Sequence, residues 1–438
     1  MNAVFFTLVA VAFVVAGYRH LAIGQPDAAG RLPMEALSAA VIDAAGGAVT
    51  LAIGLIGVMT LFLGVMKVAE AGGLLVIIAK VVRPLMQRLF PDIPPDHPAM
   101  GAIILNVSAN ALGLGNAATP FGIRAMQELD KLNPVKGTAS NAMVLFLAIN
   151  TSGVTLLPTG VMALRAAAGS TDPAAIVPTT LFATICSTTA AIILAKLLQR
   201  RFAVIPPTGT DTPAVAAPSP PEQTAAPDGS EPLPASASAA YPLWVSFLVL
   251  GGIFALVPLT IVHGRTVAPW VIPGIIVGLL GFGVAKRVRI YEVFVDGARD
   301  GFQVAVRIIP YLVAILVAVA MFRESGALAV LITPLGAVTE LVGLPAEALP
   351  MALLRPLSGS GAYGVLASII NDPAIGPDSY TGILVSTFQG TTETTFYVLA
   401  VYFGAIGVRR MRHAIPAALG ADVVGIAAAV FICLTLFG

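Results

Sequence analysis

The chain has 438 residues, 57% of them hydrophobic and 11% charged, with a formal net charge of +1. No soluble fold buries that much apolar surface, so the composition places the chain in a lipid bilayer. The near-neutral charge carries no polyanion-binding signal, and no Gly-x-x-x-x-Gly-Lys phosphate loop occurs; nucleic acid is excluded as a partner, and ATP as a source of energy.

In chain order, apolar runs long enough to cross about 30 Å of hydrocarbon fall at 2–22, 47–66, 140–164, 175–195, 242–262, 268–285, 304–322, 380–407 and 413–437. The first has neither a basic n-region nor a small-residue cleavage site and reads as a retained helix. Between these runs, segment 98–126 and the stretch 355–361 are too polar and too rich in Gly and Pro for lipid-facing helices. Non-helical backbone at membrane depth survives only against protein or a water-filled cavity, so both read as re-entrant helical hairpins. Glu70 and Glu324 open amphipathic stretches, 70–90 and 324–343, that suit the membrane surface. The expected fold is an all-α polytopic membrane protein with about nine full crossings plus two hairpins.

Residues 206–234 hold nine prolines among Ala, Ser and Thr, a composition that buries no core. The chain therefore divides into 1–202, a disordered linker over 203–240, and 241–438. The same order of features recurs on either side of the linker. Asp43 answers Asp296, Glu70 answers Glu324, 106–116 answers 355–364, and 150–155 answers 390–395. Short cytoplasmic loops are enriched in Lys and Arg. With the linker inside, and 242–263 and 268–285 forming a hairpin that returns at Lys286, eighteen of the 24 basic residues are cytoplasmic. Arg19, Arg31, Arg165, Arg265 and Arg323 fall outside, and Arg355 falls within the membrane. Run 175–199 then points inward and its counterpart 413–437 outward. The halves are inverted-topology repeats, with the N-terminus cytoplasmic and the C-terminus outside, and such repeats permit alternating access around a central site.

The hairpin tips and the matching polar runs supply that site. Asn106, Ser108, Asn110 and Asn116 come from the first hairpin, Asn150, Thr151 and Ser152 from the run after it. Arg355, Ser358 and Ser360 come from the second hairpin, with Gln389, Thr391, Thr392, Glu393, Thr394 and Thr395 from the run that follows. Arg355 and Glu393 are the strongest signals, because a charged side chain at bilayer depth costs roughly 2.5–3.5 kcal/mol even on the lenient insertion scale. They are expected near one another and near a substrate or a coupling ion, proton or sodium; a structural ion pair is the alternative reading. Asp422, in the last run, is either a buried acid or an interfacial residue. Cys186 and Cys433 read as small core residues. His20, His97, His263 and His413 fall at helix ends or loops with no metal spacing, so neither a metal, a cofactor nor a catalytic set is expected. The spacing of Gly274 and Gly278 favours close helix contact and a homo-oligomer.

Longer strings carry a family resemblance. Residues 106–122 (NVSANALGLGNAATPFG) resemble the signature of spore maturation protein A. Residues 355–362 (RPLSGSGA), 376–379 (GPDS) and 389–404 (QGTTETTFYVLAVYFG) resemble spore maturation protein B. The chain looks like a fusion of the two, each half carrying a nucleoside recognition, or Gate, domain. That resemblance implies a bacterial inner-membrane protein related to concentrative nucleoside transporters and to the pore region of ferrous iron transporters. The leading expectation is a gradient-driven carrier or permease for a small polar or anionic solute, nucleoside-like on the family's name. The alternative is a non-transporting scaffold in envelope or spore maturation.

Overall fold

In the computed structural model the chain is helical, and no strand occurs among the described residues, which are 2–26, 30–113, 115–202, 241–328, 330, 336 and 339–438. The expected linker 203–240 lies outside them, as do 329, 331–335, 337 and 338 of the second amphipathic stretch. The first half runs α1 (Asn2–Tyr18), α2 (Pro33–Ala71), α3 (Leu74–Leu89), α4 (Pro98–Ala111), α5 (Gly115–Leu132), α6 (Asn141–Thr151), α7 (Thr159–Ala167) and α8 (Ile176–Leu198). The second runs α9 (Leu243–Ala285), α10 (Ile290–Glu324), α11 (Leu349–Leu354), α12 (Gly359–Ile370), α13 (Tyr380–Thr391), α14 (Thr395–Gly404) and α15 (Ala414–Phe437). Four helices among the described residues are long and apolar enough to cross a membrane: Phe5–Ile23, Pro33–Ala71, Pro173–Leu198 and Ala414–Phe437.

Two of the expected continuous crossings are broken. Run 140–164 is α6 and α7 with a non-helical stretch between them, and run 380–407 is α13 and α14 parted by Thr392–Thr394. Polar residues, glycine and proline interrupt the aliphatic runs at both breaks: 152–158 reads SGVTLLP and 392–394 reads TET. Each broken helix starts on a serine cap: Ser140 Oγ accepts from the Met143 N–H, and Ser379 Oγ accepts from the Gly382 N–H, as a helix start requires.

The loop expected at 263–267 is also absent, since α9 is helical across it. A straight helix of that length would part its ends by about 60 Å. Yet the Tyr241 N–H donates to the Lys80 carbonyl and Ser246 Oγ to the Val81 carbonyl, while Phe282 and Gly283 lie against Gly72 and Val68. Both ends of α9 thus meet the corner between α2 and α3, whereas Ile272 packs into the core containing Ala174 and Ile176. The chain reverses direction within α9.

Among the described residues, two long helix pairs pack closely across the halves, and both run antiparallel. In the α2 and α10 pair, Gly64 meets Phe294, Met59 and Thr60 meet Gly301, and Ala48 and Ala52 meet Leu312. In the α8 and α15 pair, Phe182 packs on Phe431, Ser187 lies beside Gly425, and Leu194 lies beside Gly420. Small residues set both close approaches. Gly274 and Gly278, by contrast, face open space.

Each of the two large apolar cores draws on both halves. One gathers α3, α4, α6 and the end of α8 with α14 and the start of α15. The other gathers α7 and the start of α8 with α11, α12, α13 and the end of α15. Between them the same helices turn polar: Asn150 to Ser152 on α6, Thr184 to Thr188 on α8, Gln389 to Thr392 on α13, and Asp422 on α15. The breaks and hairpin tips lie in this layer.

At the far ends, loops from the two halves clasp. In the last turn of α7, the fully buried Arg165 donates to the Pro377 carbonyl and, at 3.0 Å, to Asp378 Oδ1. Thr171 donates to Asp378 Oδ2 from both its N–H and its hydroxyl, at 2.7 Å each. At the opposite end, the Arg409 and Arg410 N–H groups donate to the Gly137 carbonyl, and Arg412 donates to the Ala139 carbonyl and Asn141 Oδ1. Burial pushes the Asp378 carboxyl up, but hydrogen bonds from Ser170 and Thr171 and the Arg165 charge outweigh it and leave it below the usual carboxylate value. Burial raises Asp172, opposed by the Ala174 N–H and Arg165.

Two expectations follow. Gly301→Leu places side-chain atoms against the Met59 carbonyl, 2.8 Å from the first added carbon, and should destabilise the protein by about 1–3 kcal/mol in melts of the detergent-purified protein. Gly278→Ala, in open space, should be neutral or slightly stabilising. As for pH, a carboxyl depressed by folding stabilises fully above its unfolded value, about 3.9, and that stability is lost as pH falls through the lower folded value. Asp172, raised by folding, acts with the opposite sign. Asp378→Asn should therefore lower the melting temperature at neutral pH and flatten its fall in acid; an unchanged acid limb would show that the clasp contributes nothing.

Candidate functional site

A helix that stops inside an apolar interior leaves carbonyls and N–H groups without partners. At the α13 break the partner is Arg355, which closes α11 at the tip of the second hairpin. Its Nε donates to the Gln389 carbonyl at 3.2 Å, Nη1 to Thr394 Oγ1 at 3.0 Å, and Nη2 to the Thr392 carbonyl. Glu393 Oε2 lies 3.8 Å from Nη2. The pair is unequal in burial, with 6% of the arginine side chain and 59% of the glutamate exposed. Arg355 is therefore committed to the backbone, and Glu393 projects from the break into open space.

That space is a cavity of about 180 Å³ between the hairpin tips and the breaks. Asn110, Thr155, Arg355, Tyr363, Gln389 and Glu393 provide its polar wall. Gly113, at φ 76°, forms the first hairpin tip, where an added Cβ would sit 2.7 Å from the Leu157 carbonyl. Only glycine allows that approach in that conformation. Gly160 likewise makes room for the Tyr363 hydroxyl, 2.7 Å from where its Cβ would be.

Behind the cavity the amides form one chain. Asn110 Nδ2 donates to Asn150 Oδ1 at 2.9 Å, and the Tyr402 hydroxyl donates to the same oxygen at 3.3 Å while accepting from Asn106 Nδ2 at 3.1 Å. Asn106 also donates to the Ala118 carbonyl and Asn150 to the Phe146 carbonyl. The breaks touch directly, the Glu393 N–H donating to the Thr151 carbonyl at 2.8 Å.

The structure thus brings Asn110, Arg355, Gln389 and Glu393 to the cavity, with Asn106 and Asn150 one layer back and Thr392 and Thr394 held by Arg355. The remaining expected residues turn inward. The hydroxyls of Ser108, Thr151, Ser152 and Thr391 donate to carbonyls of their own helices. Ser358 Oγ caps α12 at Gly361, and Thr395 Oγ1 donates to Asp422. The side chains of Asn116 and Ser360 lie outside the described residues. Gly160, Tyr363 and Tyr402 belong to the site although no spacing singled them out, and Thr155 joins it from the end of the run 150–155. Among the described residues no group of three or more His, Cys, Asp or Glu side chains could hold a metal.

The family model described as nucleoside recognition, Gate, matches residues 52–200 and 305–409, more than half of the chain, and both matched stretches contain a hairpin and a break. The chain belongs to the Gate family. It is similar to spore maturation protein B of Bacillus subtilis, 47% identical over 38% of this chain and 93% of that protein. It is also similar to spore maturation protein A of the same organism, 48% identical over 38% of this chain and 86% of that protein. No solved structure matches. With its apolar helices, this Gate protein is a membrane protein.

Replacing Arg355 by Met keeps the volume but strips the Gln389 and Thr392 carbonyls of charged donors, each such bond contributing about 1.5–3 kcal/mol. The variant should lose about 3 kcal/mol or more, read by thermal unfolding or pulse proteolysis. Glu393→Gln should cost under about 1 kcal/mol, because the pair is exposed on that side. Equal losses in the two variants would mean that the ion pair, and not the carbonyl cap, holds the break.

Proposed function

We propose that this protein is a gradient-driven carrier or permease of the bacterial inner membrane, which holds a small polar solute between its two hairpin tips. The observation that carries the proposal is the cavity itself: hydrogen-bonding side chains converge where two broken helices and two tips meet, between apolar cores that each contain both halves. A scaffold has no need of an exposed carboxylate there.

The antiparallel pairs support an inverted-repeat architecture. Aligning 175–199 with 413–437 makes Ser187 the equivalent of Gly425, and these two residues touch. Contact between equivalent residues is what a two-fold axis in the membrane plane produces. The Thr155 N–H to Thr184 Oγ1 contact and the Thr395 to Asp422 bond are likewise equivalent. With Lys196 and Lys80 on the face that receives both linker ends, the basic residues orient that face to the cytoplasm. The N-terminus is then cytoplasmic and the C-terminus outside, with a spore maturation protein A-like half over 1–202 and a B-like half over 241–438.

The wall favours a solute that donates hydrogen bonds over a free anion, because three of the Arg355 N–H groups are held by Gln389, Thr392 and Thr394 and the Glu393 carboxylate faces the cavity. At about 180 Å³ the site is smaller than the roughly 300 Å³ at which pockets for drug-sized ligands begin. A solute as large as a nucleoside requires the tips to part. The relatives' names support a second reading, a membrane scaffold in envelope or spore maturation.

Thermal unfolding of the purified protein against ribonucleosides, neutral sugars and small organic acids separates the two. A bound solute at a hundred times its dissociation constant stabilises by about 2.7 kcal/mol. The expected result is a rise with at least one donor-rich solute that Glu393→Gln abolishes. No response to any of them would favour the scaffold.

A further inference from the structure

The polar layer holds one acid that the cavity does not reach. Asp422 lies near the middle of α15 and is 2% exposed. Its Oδ2 accepts from Thr395 Oγ1 at 2.7 Å, while its Oδ1 is buried without a hydrogen-bond partner. A carboxylate left half-solvated in such a place is costly unless it is neutralised.

Among the described residues, the surrounding elements offer it no counter-ion in direct contact. From α8, Ser187 Oγ donates to the Ala421 carbonyl beside it. Lys196 of that helix is tied to the Leu89 carbonyl at the far end, and Cys186 is the other titratable residue there. Helix α6 carries no titratable residue, α13 carries only Tyr380, at its outer start, and α14 carries Tyr397 and Tyr402. The charge that acts on Asp422 is Arg355, and Thr392 is its other hydroxyl neighbour. In the first half the equivalent position is Thr184, which meets Thr155 at 3.5 Å. The repeat keeps the tie between broken helix and following helix, and exchanges hydroxyl for carboxyl on one side only.

We propose that Asp422 is a proton-binding site of this protein, taking up one proton on its carboxyl and releasing it again. The consequence lies in what Thr395 does. It is the first residue of α14, where free N–H groups favour an anion. The break before it is gripped by Arg355 through Thr392 and Thr394, and by Asp422 through Thr395. An ionised Asp422 holds the start of α14 from behind, and a protonated one releases that charge-assisted bond. Glu393 stands in the same break and faces the cavity, so a proton behind the break changes the wall in front of it.

The coupling rests on the transport reading, but the protonation does not, so the test uses no solute. Infrared difference spectra of the membrane-reconstituted protein are recorded as pH is stepped, in sodium and in choline salts, for the wild type, Asp422→Asn and Thr395→Val. The expected result is a carbonyl stretch of a buried carboxylic acid that titrates reversibly and is indifferent to sodium. It is lost in Asp422→Asn, and its midpoint moves upward in Thr395→Val, where the hydroxyl that favours the ionised form is gone. A band unchanged by Asp422→Asn, or none in the wild type, overturns the proposal. Suppression of the band by sodium at constant pH overturns it too, in favour of a sodium site. Should Asp422→Asn fail to fold, the Thr395→Val midpoint decides, and an unmoved midpoint counts against the assignment.

Discussion

The guanidinium of Arg355 and the carbonyls it covers form the constraint on which the rest depends. Breaking a helix within an apolar interior exposes backbone groups that lipid and aliphatic side chains cannot satisfy. This protein breaks two, and satisfies them differently. In the second half one arginine reaches across from a hairpin tip to Gln389, Thr392 and Thr394. In the first half the partners are neutral: the Leu156 N–H donates to the Ala111 carbonyl at the facing tip, Thr188 donates to the Ser152 carbonyl, and Glu393 donates through its N–H to Thr151. Either way a tip is tied to a break, so neither moves without the other.

That tie fixes what kind of motion the fold allows. The two apolar cores lie on opposite sides of the polar layer, and the chain crosses between them through α6, α8, α13 and α15. Helices α8 and α15 pass through intact; the others do so through a break or end in it. A close-packed core is rigid on average, whereas the polar layer is joined by single hydrogen bonds. The breaks are therefore the least constrained part of the layer, while the intact α8 and α15 and the clasps at the ends, a buried Arg165 with Asp378 and Arg412 with the Ala139 carbonyl, hold the two cores together.

Much of this is legible in the residues. Composition reveals the membrane, the double run of Gly, Ser, Thr and Asn reveals hairpins and polar runs, and the isolated charges Arg355 and Glu393 reveal each other. Hydropathy alone misleads at 140–164 and 380–407, since averages over a long window hide the few polar residues that interrupt a helix. It misleads again at 263–267, where His and Arg suggest a loop and the backbone stays helical while the chain turns back. Within the site, the composition of the polar runs identifies the region but not the orientation of each hydroxyl. Ser108, Ser152 and Thr391 bond to their own helices because a hydroxyl one turn from a carbonyl satisfies itself at no cost in chain entropy. Tyr402 and Tyr363 come from apolar helices with no local pattern; only tertiary packing, through Phe146 against Tyr402 and Gly160 against Tyr363, brings their hydroxyls to the layer.

The proposed two-fold relation gives the unequal charge of the two halves a physical reason. On the proposed two-fold relation, equivalent residues near the axis are neighbours, as Ser187 and Gly425 are. An acid duplicated at 184 and 422, or at 153 and 393, would place two like charges in one thin polar layer of low dielectric, where their repulsion is poorly screened. The chain keeps the backbone of both copies and charges only one: Arg355, Glu393 and Asp422 all belong to the second half, opposite 106, Gly153 and Thr184. Shape is repeated, so both hairpins and both breaks can be built from the same local rules, while charge is held once. Under that relation, confining the charge to one half lets the polar layer hold a charged centre without like charges facing each other across the axis.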